Sequence, residues 1–89
     1  MTTATARRAL DRTGLLELLN WELAAYSECD GCHFTGIRTG IRPTRRPDDS
    51  GCNWTDANVD SDHWLTVDEQ LIVRRVVEDT RREFNLRPH

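Results

Sequence analysis

The chain has 89 residues, of which 37% are hydrophobic and 30% charged, and its formal net charge is −3. This length fits one small domain over residues 1–89, and no apolar stretch approaches the ~20 residues that a transmembrane helix needs. Residues 1–8 precede no apolar run, so they predict no signal peptide and a cytoplasmic protein without a membrane contact.

The first predicted element is an amphipathic helix over residues 13–27. Its apolar side chains recur every three or four positions, which is the spacing of a buried helical stripe; they are Leu15, Leu16, Leu19, Leu23 and Tyr26. Thr13 precedes this stripe and is the predicted N-cap. Residues 1–12 then form either a frayed N-terminal tail or a short separate turn, and the pattern leaves both readings open.

The middle of the chain is rich in glycine, proline, aspartate and threonine, and it predicts a short, irregular β-hairpin. Residues 34–42 contain a direct repeat, Thr-Gly-Ile-Arg twice. Read at the period of a strand, the repeat places Thr35 and Ile37 on one face, although its glycines weaken a strand. Residues 43–51 predict an exposed loop that ends in a turn. Trp54 and Trp64 are expected to fill the core over the short strands.

The second predicted helix covers residues 67–84 and has a clearer start. Thr66-Val-Asp-Glu69 matches a capping box, in which the threonine hydroxyl and the glutamate carboxylate each accept a hydrogen bond from a backbone N–H that the helix leaves free. Its predicted buried stripe comprises Val73, Val76, Val77, Thr80 and Phe84. The predicted fold is therefore α+β, with two amphipathic helices packed on a short irregular hairpin.

A cluster of metal-binding residue types occupies the middle of the chain. Cys29-Asp-Gly-Cys32 is a C-x2-C knuckle, in which a sharp turn at Gly31 lets two thiolates point at one ion. Together with two later residues, this knuckle predicts a structural Zn²⁺ site that joins the hairpin to the end of the first helix. The predicted ligands are Cys29, Cys32, Cys52 and His63.

His33 is the alternative fourth ligand of this site. It is the poorer choice because neighbouring side chains in an extended segment point to opposite faces. Three ordinary thiols are the competing interpretation of the cluster, whereas an odd cysteine count in a cytoplasmic chain argues against a disulfide framework. The spacing lacks the helical H-x3-5-H of a zinc finger and the H-x-E with P-C-x-x-C of zinc deaminases.

Catalytic signatures are missing from the sequence. It contains no H-E-x-x-H, Walker A, G-x-G-x-x-G or G-x-S-x-G motif. An acidic loop around Asp60, Asp62 and His63 resembles a hydrolytic metal site only in composition, and such loops are usually solvated surface. We therefore expect no enzyme but a small binding or regulatory protein that acts through a protein partner, by analogy with bacterial and phage accessory factors.

Charge segregation in the middle of the chain supports a second hypothesis, nucleic-acid binding. Residues 31–47 carry arginines and no acid, whereas residues 48–69 carry seven acids and no lysine or arginine. The arginine arm can follow a phosphate backbone; it comprises Arg38, Arg42, Arg45 and Arg46. Because the net charge is −3 and the pI about 5.5, whereas nucleic-acid binders usually have a basic excess, a protein partner is favoured.

Overall fold

The computed structural model describes residues 8–39 and 52–87, and these residues form two helices and two small sheets. A short 3-10 turn at Ser27–Cys29 follows the first helix. The remaining elements in chain order are β1 (Arg8–Leu10), α1 (Arg12–Ala24), β2 (Cys32–Arg38), β3 (Asp56–Ser61), α2 (Val67–Glu83) and β4 (Phe84–Leu86). This arrangement confirms the predicted α+β class. Neither described helix is both long and apolar enough to cross a lipid bilayer.

The N-cap of helix α1 lies two residues earlier than predicted. Asp11, not Thr13, is the N-cap, and its carboxylate accepts the backbone N–H of Gly14 at 2.7 Å. An aspartate at this position also suits the positive end of the helix dipole. The α-helix ends at Ala24 rather than at residue 27, and the 3-10 turn begins at Ser27.

The described residues before α1 form a β-strand, rather than the frayed tail or the turn that the sequence left open. Strand β1 pairs in parallel with β4, with Arg8 opposite Phe84 and Leu10 opposite Leu86. The backbone N–H of Arg87 extends this pairing by donating to the Leu10 carbonyl at 2.7 Å. This second sheet was not predicted. It fixes the start of α1 against the end of α2.

Strands β2 and β3 form the predicted hairpin as an antiparallel pair, from Cys32 opposite Ser61 to Arg38 opposite Asp56. A register shift between Phe34 and Gly36 breaks the expected alternation, because a bulge turns consecutive side chains away from strict period two. Phe34 and Ile37 are therefore both buried, whereas Thr35 is exposed. The second half of the Thr-Gly-Ile-Arg repeat and the predicted loop over 43–51 lie outside the described residues, apart from Thr39.

Helix α2 starts at the predicted capping box. The backbone N–H of Glu69 donates to Thr66 Oγ1 at 3.1 Å, and the backbone N–H of Thr66 donates to Glu69 Oε1 at 2.9 Å. Val76, Val77 and Thr80 form the buried face of the helix, as predicted. The helix therefore has a fixed first turn, and Glu69 is held within it.

The core lies between the two helices and the hairpin. Its largest fully buried side chains are Trp54, Phe34, Leu15, Leu19, Leu23 and Cys52. Trp54 is 1% exposed and confirms the prediction that it fills the core. Trp64 is 97% exposed, so the same prediction was wrong for it. Trp64 lies in the short segment between β3 and the cap of α2, where the backbone leads its side chain away from the core.

Candidate metal centre

The register of the hairpin brings the knuckle beside His63. Cys32 lies opposite Ser61 in the sheet, so the turn before β2 and the turn after β3 are neighbours. Gly31 has a φ of 87°, a conformation that favours glycine. A Cβ on this residue would lie 2.9 Å from Asp62 Oδ1. The predicted sharp turn is therefore confirmed, and its tight fit against Asp62 explains why the position holds a glycine.

Helix α2 adds a carboxylate to this neighbourhood. Glu69 Oε2 lies 3.4 Å from Cys32 Sγ and 2.8 Å from His63 Nε2. One sulfur, one nitrogen and one carboxylate oxygen from these three residues all lie within 4.8 Å of one another. Thiolate, imidazole and carboxylate are the three ligand types that zinc accepts in proteins. This Cys/His/Glu triad can hold a metal ion.

The imidazole of His63 lies between two carboxylates. Its Nδ1 is 2.5 Å from Asp62 Oδ1 and its Nε2 faces Glu69. The hydrogen bond with Asp62, and then the one with Glu69, raises the pKa of His63. When Nδ1–H donates to Asp62, Nε2 must carry a proton or bind a cation, since its lone pair would otherwise face a carboxylate. The arrangement therefore has a place for a positive charge between His63 and Glu69.

Glu69 is an anion in this environment. The N–H of Thr66 is the main cause that lowers the pKa of its carboxyl to about 2, and the hydrogen bond from His63 adds to it. The side chain is almost completely buried, whereas that of His63 is 41% exposed. The cluster thus has an ionised carboxylate at its base and a histidine on its solvent side, through which an ion can enter.

The pKa values of both knuckle thiols are raised. Burial is the main cause that raises the pKa of Cys32 to about 11, and the hydrogen bond and the charge of Glu69 raise it further. Burial, followed by the charge of Glu69, also raises the pKa of Cys29, while a hydrogen bond with Cys32 opposes that rise. Both thiols are therefore protonated at neutral pH in the protein alone, and a bound divalent ion would displace their protons.

Cys52, the third predicted ligand, does not join this cluster. Its thiol lies 3.3 Å from the Trp54 carbonyl and 3.9 Å from the Phe84 carbonyl. Phe84 follows Glu69 by fifteen residues along α2, which is a separation on the order of 20 Å at 1.5 Å per residue. The segment before β3 therefore holds Cys52 against the start of β4, at the opposite end of the helix.

The structure separates the two histidines that the sequence offered. His63 lies in the cluster, whereas His33 is exposed on β2 opposite Asp60. Glu69 was missed as a candidate ligand because the capping box already accounted for it. Two sequence features could have identified Glu69 as a ligand. It lies six residues after His63, and the carboxylate of a capping-box glutamate points back towards the residues before the helix.

Little of the predicted arginine arm falls within the described residues. Arg38 is exposed and lies 3.8 Å from Asp56, its partner across the hairpin. Arg42, Arg45 and Arg46 lie outside the described residues. The described part of the arm therefore consists of one arginine with an acidic neighbour.

Comparison with known proteins assigns the chain to no family. No protein-family model matches it. Searches of curated proteins and of solved structures found no match either. The chemistry of the cluster and of the surface around it is therefore the basis for proposing a function.

Proposed function

We propose that this chain is a small, non-catalytic binding or regulatory protein of the cytoplasm, which holds one structural Zn²⁺ and acts through a protein partner. The observation that carries the proposal is that Cys32, His63 and Glu69, which come from three separate elements, offer ligand atoms within 4.8 Å of one another. The proposed ligands are these three residues and Cys29, the other cysteine of the knuckle. They come from the knuckle, the turn after β3 and the first turn of α2.

The ligand types favour zinc over other common divalent ions. Mg²⁺ and Ca²⁺ prefer oxygen ligands and avoid thiolates, whereas a set of two sulfurs, one imidazole and one carboxylate suits a borderline-soft ion. Asp62 adds the outer partner that metal-binding histidines usually have, because its bond to Nδ1 leaves Nε2 of His63 for the ion. The knuckle and the histidine turn would thus be joined to α2.

The structural role depends on Cys29 as the fourth ligand. Zinc in structural sites is bound by four protein side chains, whereas catalytic zinc keeps one position open for water or substrate. With Cys29 as the fourth ligand beside Cys32, the tetrahedral site has no open position. Neither Cys29 nor Cys32 is in a disulfide, so both thiols are available as metal ligands. Both points support a stabilising ion in a protein that is not an enzyme.

The test is metal analysis of protein purified without a metal-binding tag. We expect about one zinc per chain, and the Co²⁺-substituted protein should show thiolate charge-transfer bands and the intense visible bands of a tetrahedral site. Single variants of the ligands should lose both signals; these are Cys29→Ser, Cys32→Ser, His63→Ala and Glu69→Gln. Cys52→Ser is the matched control, because it removes a buried thiol outside the cluster and should keep the metal.

Two results would overturn the zinc proposal. The first is a well-folded, unmodified protein that contains no metal and binds no Co²⁺. The second is a Cys52→Ser protein that loses the metal while the Glu69→Gln protein keeps it, which would restore the ligand set expected from the sequence. His33→Ala serves as a second control, since its imidazole lies outside the cluster.

Nucleic-acid binding through the arginine arm is the competing function. If the arm contacted four phosphates, the log–log salt slope for duplex would be near −3.6, at about −0.9 per phosphate. We expect only weak retardation of duplex and single strands at physiological salt, because the seven acidic residues in the segment 48–69 offset the charge of the arm. Submicromolar, steeply salt-dependent binding that disappears in the quadruple alanine variant of Arg38, Arg42, Arg45 and Arg46 would favour nucleic acid instead.

A further inference from the structure

Three large apolar side chains are exposed next to the metal centre. Trp64 is 97% exposed, Val67 71% and Leu71 56%. A single exposed apolar side chain is ordinary on a protein surface, but these three fall within eight residues of the chain. Val67 and Leu71 are four residues apart on α2 and therefore share one face of the helix. We call these three residues the Trp64 surface.

A groove borders this surface on the side of the hairpin. Residues 59–65 and Gln70 line it, and its volume is about 630 Å³. His63, on the solvent side of the metal cluster, forms part of the groove, and Trp64 follows it directly. The Trp64 surface and the groove therefore meet at the turn after β3.

The ionisable side chains that line the groove are those of Asp60, Asp62 and His63, whereas Arg74 and Arg75 are exposed one turn farther along α2. Apart from His63, every ionisable side chain of residues 56–70 is acidic. Asp60 and Asp68 are exposed, and Asp62 carries its charge beside His63. An aromatic ring attracts cations over its face, and carboxylates form charge-assisted hydrogen bonds with guanidinium and ammonium groups. Groove and indole together therefore suit a cationic side chain.

We propose that the Trp64 surface and its groove bind a basic segment of a protein partner, an inference that rests on the proposed partner-binding function. An arginine or lysine of that segment would occupy the groove between Trp64 and Asp60. Apolar side chains of the segment would cover Val67 and Leu71. Charge complementarity identifies this occupant and disfavours an acidic segment or a nucleic acid, because either would place like charges together.

The metal gives this surface a fixed shape. Because His63 would be a ligand, the ion would hold the turn that carries Trp64 against the first turn of α2. Metal and basic segment would then bind with reciprocal coupling, each increasing the affinity for the other. The proposal therefore expects tighter peptide binding by the zinc-loaded protein than by the metal-free protein.

The test uses a short synthetic peptide of alternating arginine and leucine, with the glutamate–leucine peptide as its charge-reversed control. In the zinc-loaded protein, we expect the arginine peptide to shift the amide resonances of residues 59–65 and Gln70, with an affinity that falls as salt increases. Trp64→Ala should weaken this binding about tenfold, which is 1.4 kcal/mol. Trp21→Ala is the matched control, since Trp21 is also exposed but lies on α1.

Asp60→Asn tests the charge separately. The asparagine Oδ1 can still accept the Ser61 N–H that Asp60 accepts at 3.0 Å, so the variant should keep its fold and lose several-fold in affinity at low salt only. Equal binding of both peptides, or equal losses in the two tryptophan variants, would overturn the proposal. So would a dimer that dissociates on Trp64→Ala, because a second copy of the chain would then cover the surface.

Metal analysis of the same samples separates the two proposals. A protein that contains zinc but does not bind the arginine peptide contradicts the basic-segment proposal and leaves the structural metal intact. A protein that binds the arginine peptide through Trp64 but contains no zinc contradicts the metal proposal and leaves the docking surface intact.

Discussion

The two ends of α2 place the same residue type in opposite surroundings. At the knuckle end, defined as residues 29–34 and 59–69, the Cys32 thiol faces a carboxylate and lies within 4.8 Å of the His63 imidazole. At the Trp54 end, defined as residues 52–54 and 84–87, the Cys52 thiol faces the backbone carbonyls of Trp54 and Phe84. The neighbours, rather than the cysteine, decide whether a thiol is a candidate ligand or a small apolar side chain.

Both ends nevertheless use one device to close a sheet edge. Asn20 donates to the Phe34 carbonyl at 3.0 Å and accepts the Phe34 N–H at 2.6 Å. Asn53 does the same with Leu86, at 2.8 Å and 2.7 Å. Each side-chain amide thus makes the two hydrogen bonds that the backbone of a further strand would otherwise make with this residue. The ends share this side-chain contact, but only the knuckle end, among the described residues, places a thiol beside an imidazole and a carboxylate.

Metal removal should have the largest effect, and it should act on the knuckle end first. Binding in structural zinc sites is worth on the order of 10–16 kcal/mol, compared with about 5–15 kcal/mol of net stability for a domain. We expect a chelator at neutral pH to lower the melting temperature strongly. Hydrogen exchange should show that amides of residues 29–34 lose protection before those of residues 84–87. Simultaneous loss at both ends would show that the two ends unfold as one unit.

Trp54→Ala should be the most damaging single substitution at the Trp54 end. The indole is buried and its Nε1–H donates to the Phe84 carbonyl at 2.9 Å, so truncation leaves a cavity and removes this hydrogen bond. We expect a loss of about 3–5 kcal/mol in the free energy of unfolding, measured with denaturant. Trp64→Ala, at an exposed position, should stay within about 0.5 kcal/mol.

Metal content adds a second readout to this tryptophan pair. Under conditions where the Trp54→Ala protein remains folded, it should bind as much Co²⁺ as the unmodified protein, because Cys52 and Trp54 lie at the other end of α2. A Trp54→Ala protein that is folded but cannot bind the ion would mean that the two ends are coupled through the helix.

The two asparagines allow a matched comparison of the ends. Asn20→Ala and Asn53→Ala each remove two hydrogen bonds to one backbone residue, and an unsatisfied buried group costs about 1–3 kcal/mol. We expect similar losses of stability in the two variants. Amide exchange should increase at Phe34 in the first and at Leu86 in the second. If the zinc-loaded Asn20→Ala protein is nearly unaffected, the metal alone is sufficient to hold the knuckle end.

The elements with strong local signals could be predicted from the sequence. The capping box fixed the start of α2 correctly, and the leucine stripe identified α1, because both depend on contacts between residues a few positions apart. The β1–β4 pair was missed since three-residue strands that lie far apart in the chain carry no periodic signal. Trp64 was misplaced because hydrophobicity alone does not say whether a segment between two elements faces the core.

The candidate site was predictable only in part for the same reason. The knuckle and His63 were expected, and the hairpin register brings Cys32 and His63 together. Cys52 was predicted as a ligand from its residue type alone. In the fold its thiol faces the carbonyl of Phe84, which is distant in the sequence. Glu69 was recognised as a cap, and its second role depends on the tertiary position of α2. Ligand sets drawn from several elements therefore need the fold before they can be assigned.

The smallest predicted loss of stability at either end of α2 comes from the helix cap, and it separates capping from metal binding at Glu69. Thr66→Ala removes the hydroxyl that accepts the Glu69 N–H and should cost about 1 kcal/mol, or roughly 4–8 °C in melting temperature. Asp11→Ala, at the cap of α1, is the matched control and should cost a similar amount. Because the backbone N–H of Thr66 still donates to the Glu69 carboxylate, Thr66→Ala should keep the full Co²⁺ spectrum. A loss of that spectrum would show that the hydroxyl is needed to orient Glu69 as a ligand.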